Sequence, residues 1–110
     1  MDELCNWVES NTRLNKRDDK GVTVREYLEQ VKKSGGDPEE LRDLPKFPLQ
    51  MSRVWKSYME LHRARRYGMN GALPLSYGEL RDYIEVTGSK LSKRDIETLF
   101  DVDRVYLETI

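Results

Sequence analysis

The sequence predicts an all-α fold, with a compact three-helix unit over residues 47–110 and a smaller helical segment over residues 1–46. Three observations predict it. Apolar residues recur at helical spacing (i, i+3, i+4) along most of the chain, and no stretch alternates as a half-buried strand would. Capping signals stand at several helix starts. Gly and Pro fall between the periodic segments and not inside them.

The first helix is expected near residues 2–11, with Leu4, Trp7 and Val8 as its apolar stripe. Residues 11–21 carry Arg13, Lys16, Arg17, Asp18, Asp19 and Lys20 without a pattern and are expected to be a mobile linker. A second helix, 23–34, opens on Thr23 with Glu26 three residues later; the hydroxyl and carboxylate of such a pair can each satisfy an orphaned backbone N–H. Gly35 and Gly36 close it. Asp37 followed by Pro38 starts a short helix over 38–43, with proline at the first helical position. The long helix is expected over 49–67, ended by the turn Gly68-Met69-Asn70-Gly71. Ser76 with Glu79, and Ser92 with Asp95, open helices over 76–87 and 92–109.

The two halves differ in core quality. In residues 1–46 the burial candidates Leu4, Trp7, Val8, Val24, Tyr27, Leu28, Val31 and Leu41 form short stripes. Three outcomes stay open for that half: packing on the second half, packing on a partner, or partial disorder with ordering on binding.

Composition narrows the function. Charged residues are 35% of the 110, above the usual level of about 25%, so the core is thin. Nineteen basic residues oppose twenty acidic ones, without the basic excess typical of a nucleic-acid binder. Cys5 is the single cysteine, no apolar run has the length of a membrane span, and the N-terminus lacks signal-peptide character. A reducing, cytoplasmic setting is expected.

Two charges interrupt apolar faces. Met51, Val54, Trp55, Tyr58 and Leu61/His62 share one face of the long helix, and the next turn of that face carries Arg65. In the last helix, Ile96, Leu99, Phe100, Tyr106, Leu107 and Ile110 form a stripe completed by Asp103. An unpaired charge in a low-dielectric place costs several kcal/mol, so Arg65 and Asp103 are expected to meet as a bidentate pair at the core edge. The alternative puts both at the rim, reaching water along their stems. Either role is structural.

Catalytic equipment is sparse. His62 is the only histidine, Cys5 has no helper group nearby, and Gly68 and Gly71 follow a helix where a phosphate loop precedes one. No metal-ligand or calcium-loop spacing appears, so no cofactor and no metal are expected, and an enzyme is disfavoured. Charge is unevenly spread: residues 47–67 hold five basic residues against Glu60, whereas residues 68–110 hold five against eight acidic ones. Arg53, Lys56 and Arg63 are therefore candidates for a partner surface, with Trp7 and Tyr27 as apolar candidates in the first half. A helix-turn-helix reading of the last two helices conflicts with Asp95, Glu97, Asp101, Asp103 and Glu108, which phosphates would repel.

The order of motifs over residues 47–107 resembles small tail-region proteins of long-tailed bacteriophages. The resemblance runs through Trp55, Leu61, Tyr67-Gly68 and the Pro74 turn. It continues in Leu75-Ser76-Tyr77-Gly78-Glu79-Leu80-Arg81-Asp82-Tyr83 and closes on Asp103-Arg104-Val105-Tyr106-Leu107. Phe100 stands where the closing motif has Leu, and residues 1–46 resemble nothing familiar. The resemblance implies a tail assembly chaperone or accessory protein in the host cytoplasm. Its partner would be the tape measure or the major tail subunit, bound without catalysis, and Arg65 and Asp103 would be architectural. A nucleic-acid-binding regulator and a phage inhibitor of a host factor remain as alternatives.

Overall fold

The computed structural model describes residues 3–110, which form five α-helices and one small hairpin. The helices are α1 (Glu3–Leu14), α2 (Val24–Lys33), α3 (Ser52–Arg63), α4 (Tyr77–Thr87) and α5 (Lys93–Thr109). The fold is all-α. Strands β1 (Tyr67–Gly68) and β2 (Gly71–Ala72) pair antiparallel, Tyr67 opposite Ala72 and Gly68 opposite Gly71. The molecule is a slab of 52 × 35 × 21 Å, so few side chains lie far from a face. Asp2, the expected first residue of α1, lies outside the described residues.

Local chemistry explains the helix starts. The hydroxyls of Thr23, Ser76 and Ser92 accept from the backbone N–H of Glu26 (3.0 Å), Glu79 (3.1 Å) and Asp95 (3.1 Å). Only the Asp95 carboxylate returns the contact, accepting the Ser92 N–H at 3.0 Å to complete a capping box. Gly88 ends α4 at φ +68°, where its N–H reaches the Ile84 carbonyl and a side chain would be strained.

One core joins both halves of the chain. Leu4, Cys5 and Val8 of α1 pack with Val54, Tyr58 and Leu61 of α3, Leu75, Leu80 of α4, and Leu99, Val102 and Val105 of α5. Of the outcomes open for the first helix, packing on the second half is the one observed: α1 lies chiefly along α5. That contact rotates the buried face of α5 away from the expected stripe. Thr98, Val102 and Val105 are buried beside Leu99 and Asp103, whereas Phe100 and Leu107 are half-buried and Ile110 is exposed. A single amphipathic face describes a helix packed on one side; α5 is packed by α1 as well as α3.

Three further expectations are corrected. Residues 11–21, expected as a mobile linker, continue α1 to a buried Leu14 and then close a defined turn. Asp18 builds that turn, its Oδ1 accepting from the N–H of Lys20 (2.8 Å) and of Val22 (3.0 Å). The short helix over 38–43 is one 3-10 turn, Glu39–Leu41, with Pro38 at its cap and the Asp37 carboxylate on Arg42 at 2.8 Å in place of a capping contact. The long helix over 49–67 is a 3-10 turn, Leu49–Met51, followed by α3, which stops at Arg63. Beyond it the backbone spends its hydrogen bonds on the hairpin, with Gly71 at φ +106° at the turn. Two-residue strands are too short to leave an alternating pattern in the sequence.

Candidate functional site

The hairpin places Arg65. Because α3 ends at Arg63 with Ala64 as its cap, Arg65 is not on a helical face, and its side chain turns inward from the segment that follows. It is fully buried and meets Asp103, whose side chain is 4% exposed. The contact is not bidentate. One terminal nitrogen of Arg65 donates to Asp103 Oδ1 and also to the Tyr58 hydroxyl at 3.1 Å. Asp103 Oδ2 instead accepts the Leu75 backbone N–H at 3.0 Å. A backbone donor thus occupies the position that a second guanidinium nitrogen would fill.

The rest of the guanidinium is equally committed. Its other terminal nitrogen donates to the Leu73 carbonyl at 2.7 Å, and Nε donates to His62 Nδ1 at 3.1 Å. Its plane lies over the Tyr106 ring, 5.5 Å from the centroid. Tyr58, 1% exposed, donates its hydroxyl to Asp103 Oδ1 at 3.1 Å. No buried side-chain nitrogen or oxygen among the described residues lacks a partner. The centre therefore ties together α3, the post-hairpin segment 73–75 and α5.

Its electrostatics follow from burial. Burial and then the Asp103 charge push the Tyr58 phenol well above its ordinary value, so it is held as a donor. Burial, then the neighbouring Arg65 charge, holds His62 below its ordinary value, which keeps Nδ1 free to accept. For Arg65, burial works against the charge, but the Asp103 hydrogen bond and charge outweigh it and raise the pKa.

The remaining candidates are distributed over the surface. Arg53, Lys56 and Arg63 are exposed, and none makes an ion pair or side-chain hydrogen bond among the described residues. Spacings of three and seven residues put them on one side of α3. Tyr27 is 63% exposed on α2. Trp7 is not free on the surface: half-buried, it meets Phe47 edge-on at 4.9 Å and Trp55 at 5.1 Å. The structure thus joins Arg65 to Asp103, and leaves Tyr27 apart from the α3 group.

Sequence reasoning missed Tyr58, Tyr106 and the two backbone groups of the centre. Tyr58 carried a usable signal, since it lies seven residues before Arg65 and a buried phenol needs a polar partner. The Leu73 carbonyl and Leu75 N–H carried none, because backbone groups have no sequence signature.

The family described as phage tail assembly chaperone matches residues 31–108 of the chain. No curated protein and no solved structure matches it.

Proposed function

The chain belongs to the phage tail assembly chaperone family, and from that premise we propose that it is a non-catalytic chaperone or accessory that holds a tail structural protein, the tape measure or the major tail subunit, in the host cytoplasm until assembly. The observation that carries this reading is the division of its charges. Arg65 and Asp103 are spent on each other and on neighbouring groups, whereas Arg53, Lys56 and Arg63 stand exposed along one side of α3, without an ion pair among the described residues. Saturated buried groups support a shape; unpaired exposed ones are available to an acidic partner surface. Tyr27 adds an exposed aromatic to the surface available for contact. None of the helices of the described residues is long and apolar enough to cross a membrane.

The test is co-purification of the tagged full chain with the tape-measure and major tail proteins of the same phage genome, at low and at raised salt. Retention of one of them, weakened by salt, is expected. Retention of neither overturns the reading, and binding of generic duplex DNA at low salt would favour a nucleic-acid regulator instead.

A further inference from the structure

A groove of about 570 Å3 runs between α1, α3 and the end of α5. Its apolar lining comes from Val8, Trp55, Met59 and Tyr106, with the rings of Tyr58 and His62. These rings form a connected series. Trp55 stacks on Tyr58 at 5.6 Å, Tyr58 on His62 at 5.8 Å, and His62 meets Tyr106 edge-on at 4.8 Å. The buried centre holds that series in place, because Arg65 bonds both Tyr58 and His62 and lies over Tyr106. Trp55, Met59, His62 and Tyr106 are only half-buried, so the platform is both accessible and preset.

The charged side chains of the lining have one sign. Asn11 and Thr12 of α1 and Asn15 just beyond it are neutral, Lys16 and Arg17 are basic, and no carboxylate side chain among the described residues contributes. Arg17 is engaged with the Gly21 carbonyl at 2.5 Å and lies 3.9 Å from Glu26, but Lys16 has no side-chain partner among the described residues. At the margin of the groove, outside its lining, Lys56 and Arg63 stand three and four residues from Met59 along α3. Glu60, four residues after Lys56 and three before Arg63, shares that side of α3, and its carboxylate is engaged by the Tyr83 hydroxyl at 2.7 Å. An apolar floor bordered by cations that have no ion pair among the described residues suits one class of occupant.

We propose that this groove seats an acidic segment of a partner protein, its apolar side chains on the Trp55–Tyr106 platform and its carboxylates toward Lys16, Lys56 and Arg63. This rests on the chaperone reading for the identity of the partner, a tail structural protein, and adds where and by what chemistry it is held. A basic segment would meet like charge along both walls, and a wholly apolar one would leave the cations without counter-charge.

The experiment presents overlapping synthetic peptides spanning the tape-measure and major tail proteins to the full isotope-labelled chain. Binding is read as amide shift changes and titrated affinity. The peptides that bind are expected to combine carboxylates with apolar residues and to shift Trp55, Met59, His62 and Tyr106. A Lys56→Glu/Arg63→Glu variant is expected to bind about tenfold more weakly, while Lys90→Glu, in the loop before α5, leaves affinity unchanged. Met59→Glu tests the floor, with its melting transition recorded to confirm folding. Shifts confined to another face, preference for basic peptides, affinity within about twofold of the parent in both groove variants, or occupation of the groove by duplex DNA or a second copy of the chain would each overturn the proposal. If an intact tail protein is retained yet no peptide enters the groove, this inference falls and the chaperone reading stands. Failure to retain either tail protein removes the chaperone reading itself.

Discussion

Tyr58 donates its hydroxyl to Asp103 Oδ1 at 3.1 Å, across 45 residues of chain. The same oxygen receives the Arg65 guanidinium, so one buried carboxylate anchors two side chains that reach it from α3 and from the segment beyond it. Asp103 is thereby the polar junction of α5 with α3 and the segment 73–75, and the two predictions that follow depend on it.

Asp103→Asn keeps the volume and an acceptor for the Leu75 N–H, but removes the charge opposite Arg65. A buried guanidinium would be left without a counter-ion, and loss of one partner of such a pair costs about 3–5 kcal/mol. Urea denaturation is expected to show a loss near the lower end of that range, because the amide oxygen still accepts. A change of midpoint within error would show that Arg65 finds compensation elsewhere.

Alkaline titration should single out Tyr58 among the six tyrosines. Its folded pKa is raised above the ordinary 10.0, so the unfolded chain releases this proton first as pH rises. The stability it contributes is therefore present below pH 10.0 and is lost above it. Tyr58 is expected to stay silent in phenolate absorbance until unfolding, and Tyr58→Phe to remove that silent component while costing about 1 kcal/mol for the lost hydrogen bond.

His62 behaves oppositely on the acid side. Its folded pKa lies below the ordinary 6.5, so as pH falls through that value the unfolded chain takes up a proton that the folded chain refuses. Stability should fall below that pH, and the imidazole resonances of the folded protein should titrate at a lower pH than in a short peptide. His62→Gln, which retains an acceptor for the Arg65 Nε–H, is expected to lessen the acid sensitivity. A normal titration curve for His62 would contradict the assigned hydrogen bond.

The place of α1 in the core gives a fourth expectation. Leu4 is fully buried against the C-terminal helices, so Leu4→Ala should cost about 2–5 kcal/mol. Far-ultraviolet and tryptophan signals should shift together in a single transition, since Trp7 and Trp55 report from the same cluster. Two separated transitions would mean that the α1 contact is not coupled to the rest of the core.

Much of this was legible before any tertiary information. The caps at Thr23, Ser76 and Ser92 were readable because an N-cap acts within three residues, so its determinants stand side by side in the chain. Arg65 and Asp103 stood out as charges on apolar stripes. The route by which Arg65 enters the core did not, because the hairpin that ends α3 is too short to leave a periodic trace. The partners of Trp7 (Phe47 and Trp55) and the rotated face of α5 were illegible for a related reason: both depend on the packing of α1, which sequence spacing does not reveal.

By itself, then, the sequence determined the helical class, the helix starts and the presence of two charges that needed internal partners. Tertiary structure alone decided that Asp103 divides its oxygens between a guanidinium and a backbone N–H, and that Tyr58 joins them. It also decided that an aromatic groove opens between α1, α3 and α5. Capping and periodicity act over a few residues, where chain connectivity sets the geometry. A buried network draws on groups tens of residues apart, and its geometry exists only once the helices have packed.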